Sequence, residues 1–130
     1  MILEIDMTGN VPIYQQIRNQ IMYGIATGLL KPGEQLPTVR QLAGEIGVNP
    51  MTVNKAYDLL KKEGFILIDR RHGAQVCEPR VRENPLDEDF DQRAQLLIAE
   101  ARIKGASAGE LRQRMLGLID RVYKREGNMS

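Results

Sequence analysis

The side chains of this chain that are equipped for chemistry gather in two short stretches, and neither clusters an acid, a base and a nucleophile for catalysis. The first is NPMTVNKAYDLL, from Asn49 to Leu60. In it Met51, Thr52, Asn54, Lys55 and Asp58 share one side of a helical pattern, and Val53, Ala56, Tyr57 and Leu60 share the other. Amides, a hydroxyl, a thioether and one cation offer directional hydrogen bonds and apolar contact, which suit recognition rather than bond-breaking. The second stretch, Asp69-Arg70-Arg71-His72-Gly73, is a basic turn. His72 and Cys77 are the only His and Cys in the chain. A metal site or a Cys–His nucleophile needs further ligands or a cleft around such a pair, and no other group converges on them in sequence. Cys77 reads as a half-buried, small apolar residue. No enzyme activity and no cofactor are expected.

The elements that must position these groups follow from their caps. Asn49 can cap a helix whose first residue is Pro50, where no amide hydrogen is needed. Lys61, Lys62 and Gly64 suit its end. Thr38 and Gln41 have the spacing of a capping box ahead of a shorter helix with Val39, Leu42, Ala43 and Ile46 on one face, stopped by Gly47. Two short helices about a tight glycine turn form a helix-turn-helix pattern, whose second helix opens on polar residues as DNA-reading helices do. Phe65–Ile68 and Ala74–Cys77 read as strands of a hairpin with the basic turn at its tip. Upstream, Ile13, Ile17, Ile21 and Ile25, with Tyr14 and Met22 beside them, predict a helix from near Pro12 to Gly28. Ile2, Leu3 and Ile5 suggest a short edge strand. Three helices and a hairpin in this order are a winged helix-turn-helix.

The fold class expected is mainly α with a small β-hairpin: a winged helix-turn-helix over residues 1–78, a linker over 79–89 rich in proline and charge, and a short two-helix region over 90–126. The first of those two helices carries Phe90, Ala94, Leu97, Ile98 and Ala101. The second follows a capping box of Ser107 and Glu110 and carries Leu111, Met115, Leu118, Ile119 and Val122. The tail from Gly127 is expected to fray. Two helices with one apolar face each bury a single seam, so the surplus surface calls for a partner. A second copy of the chain fits best, with Phe90, Leu97, Ile98, Leu111, Met115, Leu118, Ile119 and Val122 as the homodimer contact.

Composition bounds the alternatives. The chain has 130 residues, 42% hydrophobic and 27% charged, with a formal net charge of +1. Charge is balanced on both sides of residue 79, so a DNA footprint must be a local arrangement of cations. No apolar run approaches the roughly 18 residues of a membrane span, and the N-terminus lacks the pattern of a signal peptide. With a lone cysteine this fits the cytoplasm and no membrane partner.

The run PIYQQIRNQIMYGIATGLLKPGEQLPTVRQLAGEIGVNPMTVNKAYDLLKKEGFI resembles the N-terminal domain of GntR-type bacterial transcription regulators. The short helical C-terminal part resembles the YtrA-type subfamily. The resemblance implies a homodimeric repressor that binds an inverted-repeat operator in double-stranded DNA, with release by a small-molecule effector that the sequence does not identify. It also implies residue roles. Arg40, in L-P-T-V-R, reaches DNA, and Thr38 lies beside it. Asn49, Met51, Thr52 and Asn54 face the major groove, and Lys55 meets a phosphate. Arg71, His72 and Gly73 form the tip of the wing, which departs from the family's R-x-G-x-G-[ST]-[FY]-V by keeping one glycine and placing Gln75 where an aromatic is usual. The rival from another class is a winged-helix protein-interaction module using the same polar helix face.

Overall fold

The computed structural model describes residues 1–78 and 80–123. Residues 124–126 of the expected helical region, and the tail from Gly127, lie outside the described residues. The chain divides into two compact units, the first spanning Met1–Pro79 and the second beginning at Arg80.

The first unit contains α1 (Ile13–Ala26), α2 (Val39–Ile46), α3 (Pro50–Lys62), β1 (Ile66–Asp69) and β2 (Gly73–Val76). Each helix starts and stops where its chemistry requires. The Thr38 hydroxyl accepts from the Gln41 amide at 3.0 Å while the Gln41 side chain accepts from the Thr38 amide at 2.9 Å, so the capping box of α2 is complete. Gly47 ends α2 in the left-handed region, at φ 72°, and the amides of Gly47 and Val48 both donate to the Ala43 carbonyl. That conformation disfavours any residue with a Cβ, so glycine sets the tight turn between the two helices. Asn49 then caps α3 through its side-chain oxygen, which accepts from the Met51 amide at 2.8 Å.

The helices enclose one core. Ile17 and Ile21 of α1, Leu42 and Ala43 of α2, and Val53, Ala56, Tyr57 and Leu60 of α3 are buried together with Ile66, Ala74 and Val76 of the hairpin. Leu30 and Leu36, from the loop between α1 and α2, complete it. Burying an aliphatic side chain stabilises by about 1.5–3 kcal/mol, so these residues dominate the unit's stability. An ion pair adds orientation: the Arg18 guanidinium donates Nε–H to Glu63 at 2.8 Å, joining α1 to the end of α3 with both groups partly buried.

Two features differ from the sequence expectation. Ile2, Leu3 and Ile5 form no strand. Leu3 and Ile5 do pack on the core, but the segment lies along α1, where no sheet edge is available. Its backbone is held by side chains instead: Gln20 exchanges two hydrogen bonds with Glu4, at 2.9 and 2.6 Å, and Gln16 exchanges two with Asp6, both at 2.8 Å. The hairpin, in turn, is not alone. β1 and β2 pair antiparallel with Ile66 opposite Val76 and Asp69 opposite Gly73. The loop before α2 then adds a short third edge: the Leu36 amide donates to the Ala74 carbonyl, the Val76 amide to the Glu34 carbonyl and the Gly33 amide to the Val76 carbonyl, all within 2.9 Å.

The second unit holds α4 (Glu88–Ile103) and α5 (Ala108–Tyr123). The helix starts at Glu88, inside the stretch expected to be a linker, because the Asp87 side chain caps it by accepting from the Phe90 amide at 2.9 Å. The Ser107–Glu110 capping box that opens α5 is present. Neither helix buries a residue.

Candidate nucleic-acid interface

The residues expected to form the site come from three segments: the start of α2, the start of α3, and the turn between β1 and β2. Arg40 is the second residue of α2 and is exposed. Thr38 is occupied as its cap. On α3, Met51 is 77% exposed, Asn54 and Lys55 are exposed, and Thr52 is half-buried. Helical geometry sets these residues opposite Val53, Ala56, Tyr57 and Leu60, whose burial fixes the rotation of the helix and turns Met51 and Asn54 outward.

The two asparagines are not equivalent. The side-chain oxygen of Asn49 is engaged by the Met51 amide, which fixes the amide's orientation and leaves one lone pair and the amide hydrogens for an outside partner. Asn54 is exposed on the next turn and has no cap to serve. An amide that pairs bidentately with adenine needs both its oxygen and its nitrogen. Asn54 is free to turn to such a partner, whereas Asn49 can offer its remaining groups only in the orientation the cap sets.

Lys55 is held. Its ammonium lies 4.0 Å from the centroid of the Tyr14 ring of α1, a cation–π contact that stabilises by about 0.5–1 kcal/mol at an exposed site. The cation therefore has a fixed place at the α1–α3 junction. The sequence pattern marks Tyr14 only as a neighbour of the isoleucine stripe, because the contact depends on two helices 41 positions apart in the chain coming together.

At the hairpin tip, Arg71 and His72 are exposed and Gly73 takes φ 67°, the left-handed conformation that favours glycine at this turn. The Asp69 carboxylate accepts from the His72 amide at 2.6 Å and lies 3.3 Å from the His72 ring. The hydrogen bond from the His72 amide holds the Asp69 carboxyl below its ordinary value of 3.8. Thus the acid of this basic turn is spent on folding it, and Arg70 and Arg71 remain directed by a closed loop.

One connection escaped the sequence. The Gln35 side chain donates to the His72 carbonyl at 2.8 Å, and the Tyr57 hydroxyl donates to the Pro37 carbonyl at 2.7 Å. Tyr57 is 2% exposed, and burial pushes its phenol above the ordinary value, with the Glu45 charge adding to the rise. Residues 35–38 thereby touch the hairpin tip, α3 and the cap of α2. Among the described residues no cluster of three His, Cys, Asp or Glu side chains forms a metal site, and no helix is long and apolar enough to cross a membrane. Cys77 is free and half-buried.

A three-helix unit with a hairpin wing, and a polar helix face beside a lone arginine, is the architecture of winged-helix regulators. The sequence matches the family described as bacterial regulatory proteins, gntR family, over residues 13–76, which takes in every element of the first unit. This chain belongs to the GntR family. It is 43% identical over 76 residues to the HTH-type transcriptional repressor YtrA of Bacillus subtilis, an overlap that covers 58% of each protein and so less than two thirds of that repressor. The structure of YtrA from Sulfolobus acidocaldarius, a GntR-family transcription factor, matches with 38% identity and a TM-score of 0.56, covering 92% of this chain and 98% of that one. A third similar structure is AraR(DBD) in complex with operator ORX1, at 27% identity and TM-score 0.53 over 59% of this chain and 99% of that one.

Proposed function

We propose that this protein is a sequence-specific DNA-binding transcription repressor that works as a homodimer on an inverted-repeat operator. The observation that carries the reading is the outward polar face of α3. A buried apolar face fixes it in rotation, and Asn54 and Met51 stand on its exposed side with no structural duty. The operator complex of AraR(DBD), a relative of the same fold, supports DNA as the ligand.

In this reading Asn54 pairs with an adenine edge and Met51 meets a thymine methyl. Arg40 grips a phosphate or a guanine edge with its planar fork. Lys55, fixed over Tyr14, meets a phosphate, and so do the wing cations. The exposed apolar residues of α4 and α5 supply the dimer contact. Phe90, Leu97, Ile98, Leu118 and Ile119 are exposed, as are Leu96, Ile103 and Leu116 outside the expected stripe. Leu111, Met115 and Val122 are partly covered. An effector releases the operator only if it binds more tightly to a dimer geometry in which the heads no longer match the half-sites.

Selection of duplexes from random-sequence DNA by the full chain tests the proposal. Enrichment of one motif with two-fold symmetry is expected. Failure to enrich any motif, together with salt-insensitive binding, sinks it.

A further inference from the structure

We infer that Gln35 is a positioning residue for DNA binding, holding the wing tip at a set distance from the recognition helix. The inference deepens the DNA-binding reading and rests on it. Four observations converge on this side chain. Gln35 is exposed, so its place is not explained by core packing. Its backbone bridges to Gln75 on β2, which aligns it with the hairpin. Its side-chain amide donates to the His72 carbonyl at the tip. A Cβ on Gly73 would stand 3.9 Å from the same amide nitrogen, so the turn passes close beside it.

The geometry gives that hydrogen bond a consequence. A two-stranded hairpin is at best marginally stable alone, and its tip is the part most free to swing. The tip here is closed internally by Asp69, which accepts from the His72 amide, but that contact lies within the turn and does not say where the turn points. The backbone bonds of residues 33–36 anchor β2 below the tip, and Gln35 adds an external reference at the tip itself. Two residues further on, the Pro37 carbonyl accepts from Tyr57 of α3, and Thr38 caps α2 ahead of Arg40. From wing tip to recognition helix the path is therefore two side-chain hydrogen bonds and three residues of chain. This path narrows the positions open to the tip, and with it Arg71, beyond what the backbone bonds of residues 33–36 to β2 already set. Without it the wing cations must be ordered at the moment of binding, which subtracts from affinity.

Gln35→Met keeps the length of the side chain and removes the donor. The probe is the duplex that the full chain selects from random-sequence DNA, and binding is read at fixed salt by fluorescence anisotropy. Gln35→Met is expected to weaken binding by roughly 3–10-fold, the size of one exposed hydrogen bond, with an unchanged melting temperature. It should also remove the part of the hydroxyl-radical footprint that Arg71→Ala removes, while leaving the rest of the protection in place. Combined with Arg71→Ala it should add nothing, because both changes disable the same contact. Wild-type affinity for Gln35→Met overturns the inference, and so do additive losses in the double variant or an Arg71→Ala variant that binds like wild type. Arg40→Ala separates the two levels: if it weakens binding while Gln35→Met leaves it intact, the positioning role falls and the DNA-binding reading stands.

Discussion

At the scale of single residues, the structure divides labour among side chains that look alike in the sequence. Asn49 and Asn54 are both exposed amides near the start of α3, yet one caps the helix and the other is free. Asn49→Ala is expected to cost about 1 kcal/mol of stability through the lost cap, seen as a lower melting temperature. Asn54→Ala should leave stability within about 0.5 kcal/mol of wild type and relax base preference at one operator position by about 1–3 kcal/mol. Competition binding with single-base operator variants reads the second effect. Arg40→Ala should weaken operator binding by about 1–3 kcal/mol without a change in folding; isothermal titration at fixed salt measures it. The capping role of Asn49 was legible from Pro50 following it. The tether on Lys55 was not, because the aromatic partner lies on another helix.

Helix boundaries were the most readable part of the chain. Caps are local chemistry: Thr38 with Gln41, Asn49 with Pro50 and Ser107 with Glu110 each act within four residues, and all three cap in the structure. What stayed hidden was non-local. The N-terminal segment reads as a strand because Ile2, Leu3 and Ile5 alternate, but the backbone partners it finds are side-chain amides of α1. Likewise Gly33 to Leu36 reads as a turn and a lead-in, while its backbone pairs with β2 some 40 residues later. The wing also has a built-in acid dependence. The Asp69 carboxyl is lowered by the His72 amide, so its contribution to the turn is full above the ordinary value and is lost as pH falls through the lower, folded-state value. Protection of the His72 amide, taken relative to its intrinsic exchange rate, is therefore expected to hold above the ordinary Asp value and to be lost only below it. Replacing Asp69 with Asn should remove that transition.

For the whole molecule, the two units carry opposite surfaces. Among the described residues every buried hydrophobic side chain belongs to the first unit, and the helices of the second expose large apolar side chains. Leu97, on α4, is 61% exposed, and a row of such residues is costly in water unless something covers it. The proposed dimer would cover this row, and it would give the operator its expected two-fold symmetry. Leu97→Glu with Ile119→Glu should shift sedimentation from dimer to monomer while leaving the helices of the first unit folded by circular dichroism. The central claim is that one dimer places two copies of α3 in major grooves a fixed distance apart. Its most direct test is operator affinity as a function of spacing. Inserting five base pairs between the half-sites turns one of them by about half a turn of the duplex. A loss of about tenfold or more is expected, as the second head can no longer engage together with the first. Equal affinity for the original and the lengthened operator would contradict it.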